Sequence, residues 1–288
     1  MNTKARPTIE PIEDDTLDEF SAFLHEHLNR GRTPAVWSAD FRRHRRPESP
    51  NYGFALRDQG VLVGGIGALY ADRQIKGQPE RFCNITSWCV LHSHRQHSTR
   101  LAMAVLAQGD RTYTDFSPTP VVGSTLRFLK FAELDERRAV IVNLPGWQPG
   151  VQVLTQDEQI RSHLKGEALQ AYEDHRELPW LSHLVVGGAD GWCHVATRRS
   201  QVRQLPAALV LHVSDRAVFA RCLRSVTAHG LMRGRLFTLV ECRFLDRTPP
   251  WPCHVQSGFN RKLVRTQTLD PATVDYLYSE SLAFDLVQ

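Results

Sequence analysis

The side chains best suited to chemistry lie between residues 83 and 106. Cys83-Asn-Ile-Thr-Ser-Trp-Cys-Val-Leu91 is a strand-forming run, and His92-Ser-His-Arg-Gln-His-Ser-Thr-Arg100 after it is polar and basic. Leu101-Ala-Met-Ala-Val-Leu106 then has helical character. A strand, a loop and a helix start in this order bring unpaired backbone N–H groups and the positive end of a helix dipole to one place. Such a junction can hold a phosphate. Ser98 and Thr99 are the expected caps, and Arg95 and Arg100 would add charge-assisted contacts. The stretch reads as an anion site.

Other reactive groups carry less. His92, His94 and His97 lack a metal-ligand spacing, and no cysteine or carboxylate joins them closely, so no metal is expected. Cys89 sits in an apolar strand and reads as core rather than nucleophile. Gly64-Gly65-x-Gly67 lacks the strand-then-helix context of a dinucleotide site and reads as a closely packed strand. Trp88 reads as core or as a cleft wall. Ser117 ends the strand Thr114-Asp-Phe-Ser-Pro118 at the mouth of the expected cleft.

The elements that must position these residues follow from periodicity. Thr8–Ile12 is strand-like, and Asp14, Asp15 and Thr16 start a helix with Leu17, Phe20, Phe23, Leu24 and Leu28 on one face. A second helix is expected over 35–44, and a hairpin over 51–56 and 61–70 turns at Gly60. The strand 83–91 would place Cys83, Ile85, Ser87, Cys89 and Leu91 on one face. A helix follows over 95–108, then a strand at 112–116, a helix at 120–131 and a strand at 138–143. Leu144-Pro-Gly-Trp-Gln-Pro-Gly150 has linker composition. Beyond it are expected a helix over 157–175, a hairpin over 183–186 and 192–197, and a strand at 207–213. A helix capped by Ser214 and Asp215 follows, then a strand over 236–244 and a helix over 271–284. Hairpin, strand, helix and strand thus occur on both sides of residue 150. The alternative is a single mixed α/β domain.

Composition is that of an ordinary globular chain: 288 residues, 42% hydrophobic and 23% charged, with 35 Lys+Arg against 31 Asp+Glu. The basic run Arg42-Arg43-His44-Arg45-Arg46 reads as a solvated face or as ion pairs with the acidic segment Glu10–Glu19. Binding of nucleic acid through these residues and the 198–203 arginines ranks last, because aromatics are not interleaved with them. The six cysteines form no CxxC pair and read as reduced thiols, which points to a cytoplasmic location. The polar opening residues carry no signal-peptide pattern. The glycine-interrupted run 61–71 is too short to span a membrane.

On this order of elements the first 143 residues resemble the GNAT acyltransferases, and the second half does so more faintly. The resemblance implies an α/β mixed-sheet fold in tandem: an acyl-CoA-binding domain over 1–143, a linker over 144–150 and a degenerate copy over 151–288. Members of that family move an acyl group from acyl-CoA to an amine or similar acceptor. Their central strand ends in a loop R/Q-x-x-G-x-G/A that cradles the CoA pyrophosphate. Carried over by position, the main chain of Cys89, Val90 and Leu91 would pair with pantetheine, and Arg95, Gln96, His97, Ser98, Thr99 and Arg100 would take the pyrophosphate. Trp88 and Ser117 would face the acceptor. The resemblance thus implies acetyl-CoA or another acyl-CoA as co-substrate and a small-molecule or protein amine as acceptor.

The chain departs from that pattern at named places. Ser98 and Arg100 stand where small residues belong, and Leu126 occupies the place of the family's tyrosine general acid, ahead of Lys130-Phe131. The central strand offers no carboxylate, and Glu80, Asp72 and Asp115 are the nearest acids in sequence. In the second half the loop shrinks to Val213-Ser-Asp-Arg216, whose aspartate would repel a pyrophosphate. That half reads as packing, as a wall of the acceptor cleft or as a dimer surface. The rival to an enzyme is a non-catalytic scaffold of the same fold that has lost the cofactor loop.

Overall fold

The computed structural model describes residues 6–75, 77–245 and 252–285. β1 (Thr8–Pro11) leads into α1 (Leu17–His27) and α2 (Pro34–Arg43). β2 (Gly53–Asp58), β3 (Val61–Ile75) and β4 (Gln78–Val90) form an antiparallel ribbon. A 3-10 segment at His92–His97 runs into α3 (Ser98–Leu106), followed by β5 (Thr112–Asp115), α4 (Pro120–Phe128) and β6 (Ala132–Glu133). Next come β7 (Arg138–Val142), β8 (Gln152–Leu154), α5 (Asp157–His163) and α6 (Gly166–His175). β9 (Leu181–Gly188), β10 (Gly191–Val202), β11 (Leu205–Val213), α7 (Arg216–Met232) and β12 (Phe237–Glu241) follow. β13 (Cys253–Gln256), β14 (Leu263–Arg265) and the single turn α8 (Glu280–Ala283) are the last described elements.

The described chain divides into two compact units. The first holds residues up to Glu133 together with 262–271 and 278–285; the second holds 134–261 and 272–277. Each contains a seven-stranded sheet of the same plan: β1-β2-β3-β4-β5-β14-β6 in the first, β8-β9-β10-β11-β12-β7-β13 in the second. In both, the fourth and fifth strands are parallel and every other pairing is antiparallel. Two sheets with one order of strands and one set of directions describe a repeated unit.

The repeat is interleaved along the chain. β7 pairs with β12 and β13 in the second sheet, and β14 takes the corresponding place between β5 and β6 in the first. The expected cut at 144–150 put residues 138–143 with the first half and everything after 150 with the second, which differs from this division. The reason is physical: Arg138-Ala-Val-Ile-Val142 is an apolar strand whose alternation says nothing about which sheet edge it joins.

Three expected helices are also revised. The segment 157–175 is two helices, broken at Lys165 and at Gly166, whose φ of +54° is left-handed. The segment 271–284 has helical spacing of apolar residues, yet it holds only a 3-10 turn at Pro271–Thr273 and α8. Val274, Tyr276, Leu277, Leu282 and Phe284 are buried there in mostly non-helical backbone. The helix expected over 95–108 is the 3-10 segment followed by α3.

In the first unit, α1 and α2 cover one sheet face through Phe20, Phe23, Leu24, Trp37 and Phe41, all buried. The glycines of β3 make room for them: a Cβ at Gly65 would lie 2.4 Å from the Phe20 ring, and one at Gly67 would lie 2.7 Å from that of Phe41. α3 and α4 cover the other face with Leu101, Val105 and Leu126. Thr33 and Thr119 cap α2 and α4 ahead of Pro34 and Pro120, the favoured first-turn position for proline. Arg42 of the basic run pairs with Asp18 at 3.1 Å.

Candidate functional site

β4 positions the site through two irregularities. It pairs with β5 only from Phe82 to Asn84 and then runs on alone along that edge to Val90. Within this stretch the register against β3 slips, with Gly65 opposite Cys89 but Gly67 opposite Thr86. Two residues of β4 thus stand against Ile66 alone, a β-bulge, and Ser87 takes a left-handed φ of +50° to make it. The bulge reverses the alternation. Cys83 and Ile85 face the α3 side before it, whereas Trp88 and Val90 do so after it and Cys89 packs against the α1 cluster. The expectation that residues 83, 85, 87, 89 and 91 share a face is corrected accordingly.

A cleft of ≈ 280 Å³ opens where β4 and β5 part. Its walls come from the bulge (Thr86, Ser87, Trp88), from the end of β5 and the start of α4 (Asp115, Ser117, Val122), and from the C-cap of α1 (Leu28) and α2 (Trp37). Glu280 and Phe284 close it. Trp88 and Ser117 are therefore brought together. The Nε1 groups of Trp37 and Trp88 are buried in the structure without a hydrogen-bond partner.

The carboxylates are the charged groups of the described lining, which includes no lysine, arginine or histidine. Asp115 and Glu280 are 5% and 1% exposed. Glu280 Oε1 accepts hydrogen bonds from the Phe116 N–H (3.1 Å) and the Ser117 hydroxyl (2.9 Å), and its Oε2 is buried with no partner. The Glu280 N–H donates to Asn84 Oδ1 at 2.9 Å, while Asp115 Oδ1 accepts from the Ser117 N–H at 3.1 Å. Burial raises both carboxyl groups above the ordinary carboxylate range, and the neighbouring Glu280 charge raises Asp115 further. Two close carboxylates in such a place cannot both ionise readily. Burial thus pushes both carboxyl groups toward the protonated form, and the two donors on Glu280 Oε1 oppose that push at Glu280.

The anion loop is built differently from its expectation. Ser98 and Thr99 do not cap α3; they lie inside it, after a 3-10 segment whose last turn closes with the Ser98 N–H on the Arg95 carbonyl. Arg100 donates to the Pro7 carbonyl at 2.9 Å, and His94 pairs with Asp58 at 3.0 Å. Arg95 and Gln96 are exposed, and His97 is half-buried. Leu126 is core, and the Tyr113 hydroxyl donates to the Gly109 carbonyl at 2.8 Å. Among the described residues, no group of three or more His, Cys, Asp or Glu side chains is placed to hold a metal, and no helix is long and apolar enough to cross a membrane.

In the second unit the corresponding strands also part, β11 and β12 pairing only over 207–209 and 237–239. Here residues 274–276 of the same unit bridge the opening. Asp275 Oδ2 accepts from His212 Nδ1 at 2.7 Å, Tyr276 donates to Glu241, and Arg243 donates to the Val274 carbonyl. Asp215 caps α7 by accepting from the Val218 N–H at 2.9 Å.

No family model and no curated protein matches the sequence. Solved structures do match its shape. A GCN5-related N-acetyltransferase from Anabaena variabilis superposes with a TM-score of 0.61 at 9% identity, over 90% of this chain and 72% of the other. One from Kribbella flavida gives 0.57 at 13% identity, over 92% and 72%. Eis1 from Mycobacterium abscessus gives 0.55 at 14% identity, over 90% and 73%. Likeness at such identities is likeness of fold, and together with the repeated sheet it establishes the fold of this chain as a tandem GNAT fold.

Proposed function

We propose that the first unit moves an acyl group from acyl-CoA to an amine-type acceptor. The observation that carries this reading is that the unpaired edge of β4 and the acidic cleft meet at one bulge. A pantetheine arm would add as a short strand to the Cys89–Leu91 main chain, the way extended ligands join a free sheet edge. Its thioester would then reach the cleft beside Trp88, where unpartnered indole N–H groups suit a carbonyl oxygen. Arg95, exposed at the start of the loop, and the positive N-terminal end of α3 would meet the diphosphate; Arg100, tied to Pro7, shapes the loop. Carboxylates without a facing cation favour an acceptor that arrives as an amine over one that arrives as an anion.

Calorimetry with acetyl-CoA and with longer acyl-CoAs tests the reading. One equivalent should bind in the micromolar range, and Arg95→Ala should weaken it about tenfold, as expected for one charge-assisted contact. No heat at high micromolar ligand would sink it. A second reading, a scaffold without cofactor, is supported by the closed 3-10 turn before Ser98 and by Arg100 being spent on Pro7. It expects that null result.

A further inference from the structure

We propose that Ser117 and Glu280 form a proton relay in which the Ser117 hydroxyl receives the acceptor's proton and passes its own to Glu280. The inference rests on the acyl-transfer reading and adds the residues that move the proton. Ser117 is exposed at the cleft and Glu280 is buried behind it, so an acceptor reaches the carboxylate through the hydroxyl. The Ser117 hydroxyl already donates to Glu280 Oε1 at 2.9 Å, which leaves its oxygen lone pairs for an incoming N–H. Its backbone N–H donates to Asp115 Oδ1, fixing the residue between the two carboxyl groups. Glu280 Oε2 is buried without a partner, and the described lining of the cleft includes no lysine, arginine or histidine.

The neutral acceptor nitrogen attacks the thioester carbonyl carbon, forming the C–N bond as the C=O π pair moves onto oxygen and leaving a proton in excess on nitrogen. That proton moves to Ser117 Oγ as the Ser117 proton moves to Glu280. The oxygen pair then re-forms the C=O bond as the C–S bond breaks with its electron pair on sulfur, and the thiolate takes the Ser117 hydroxyl proton while Ser117 takes back the proton held by Glu280. Amide and free CoA thiol result, and both residues return to their starting state. The hydroxyl requirement is specific, because a threonine supplies the same group and an alanine does not.

The experiment uses the full chain with acetyl-CoA and phenethylamine, an amine whose aryl body suits the Trp37, Trp88 and Phe284 walls. At saturating acetyl-CoA, Ser117→Ala and Glu280→Gln should each slow transfer about 100-fold, the contribution of a positioned base. Ser117→Thr should retain most of the rate. Acetyl-CoA affinity should be unchanged in all three, and in Glu280→Gln the pH profile should keep only the rise that comes from the acceptor amine's own deprotonation. Thermal melts identify any variant that has failed to fold. Equal rates in wild type and Ser117→Ala, or no transfer by a wild type that binds acetyl-CoA, overturn the relay. Absence of acetyl-CoA binding to the wild type instead overturns the acyl-transfer reading beneath it.

Discussion

The Ser117 hydroxyl donates to Glu280 Oε1 at 2.9 Å, although the two residues are 163 positions apart. The contact depends on a late segment of the chain lying in the first unit. There Glu280 is tied to Asn84, the Ala283 carbonyl lies 3.0 Å from His44 Nε2, and the Asp285 carbonyl accepts from Arg32 at 3.0 Å. The first cleft is thus finished by residues that come after the whole of the second sheet.

The buried carboxylate pair should lower stability at neutral pH. Both groups are raised in the folded state, so the protein gains stability as pH falls through their folded values and loses it as pH rises through them. Glu280→Gln keeps an acceptor for the Phe116 N–H and the Ser117 hydroxyl but removes the charge. It should be more stable than the wild type at pH 8 by about 1–2 kcal/mol, a rise of roughly 2–8 °C in Tm. The gain should shrink toward pH 4. Paired melts at both pH values check this, and a variant less stable than wild type at pH 8 contradicts it.

The packing of α1 on β3 predicts a different outcome. Gly65→Ala places a Cβ 2.4 Å from the Phe20 ring, which is 1% exposed and has nowhere to move. Overpacking of this kind lowers stability by about 1–3 kcal/mol. Phe20→Leu vacates ring atoms at the same place, so the double variant should lose less than the two single losses combined. Urea unfolding of the four proteins measures the coupling, and strict additivity would place the ring elsewhere.

Much of this architecture is legible in the sequence, for reasons that are local. Asp14, Asp15 and Thr16 announce one helix start, Ser214 and Asp215 announce another, Gly60 announces a hairpin, and the order of elements follows from such signals. The exchange of β7 and β14 is not legible, because an apolar strand pairs equally well in either sheet. The helix expected over 271–284 fails because its buried residues are buried by tertiary contacts rather than by a helical face. In the site, Trp88 lies in the expected central strand and Ser117 at the end of the strand after it, so their place can be read. Asp115 is visible only as a nearby acid. Glu280 and Phe284 leave no local signal, since what brings them to the cleft is a chain path through the other unit. The bulge at Ser87 is equally silent, as serine carries no mark of left-handed backbone.

Two buried imidazoles, one in each unit, oppose the gain that the carboxyl pair brings in acid. Burial holds the His44 and His183 imidazoles neutral and lowers each to about 4. These groups bind protons more readily unfolded than folded, so stability falls as pH drops from about 6.5 to about 4. The loss is on the order of 3 kcal/mol per imidazole at the acid end. His44→Gln retains an N–H donor for the Ala283 carbonyl without a titrating ring. The variant should show a shallower decline of Tm between pH 6.5 and pH 4.5 than the wild type, and parallel declines would remove His44 from the account.

The second unit offers the sharpest separation of stability from binding. Asp275→Ala leaves the buried His212 Nδ1 without its 2.7 Å partner, and an unsatisfied buried polar group costs about 1–3 kcal/mol. Because residues 274–276 bridge the β11–β12 opening from within that unit, the acyl-CoA proposed for the first unit has no call on them. The variant should therefore melt lower while its acetyl-CoA affinity at 15 °C stays within about twofold of wild type, well under the tenfold that corresponds to 1.4 kcal/mol. Calorimetry on the folded variant decides the point. A tenfold loss of affinity would mean that the second opening, and not the first, is where the ligand binds.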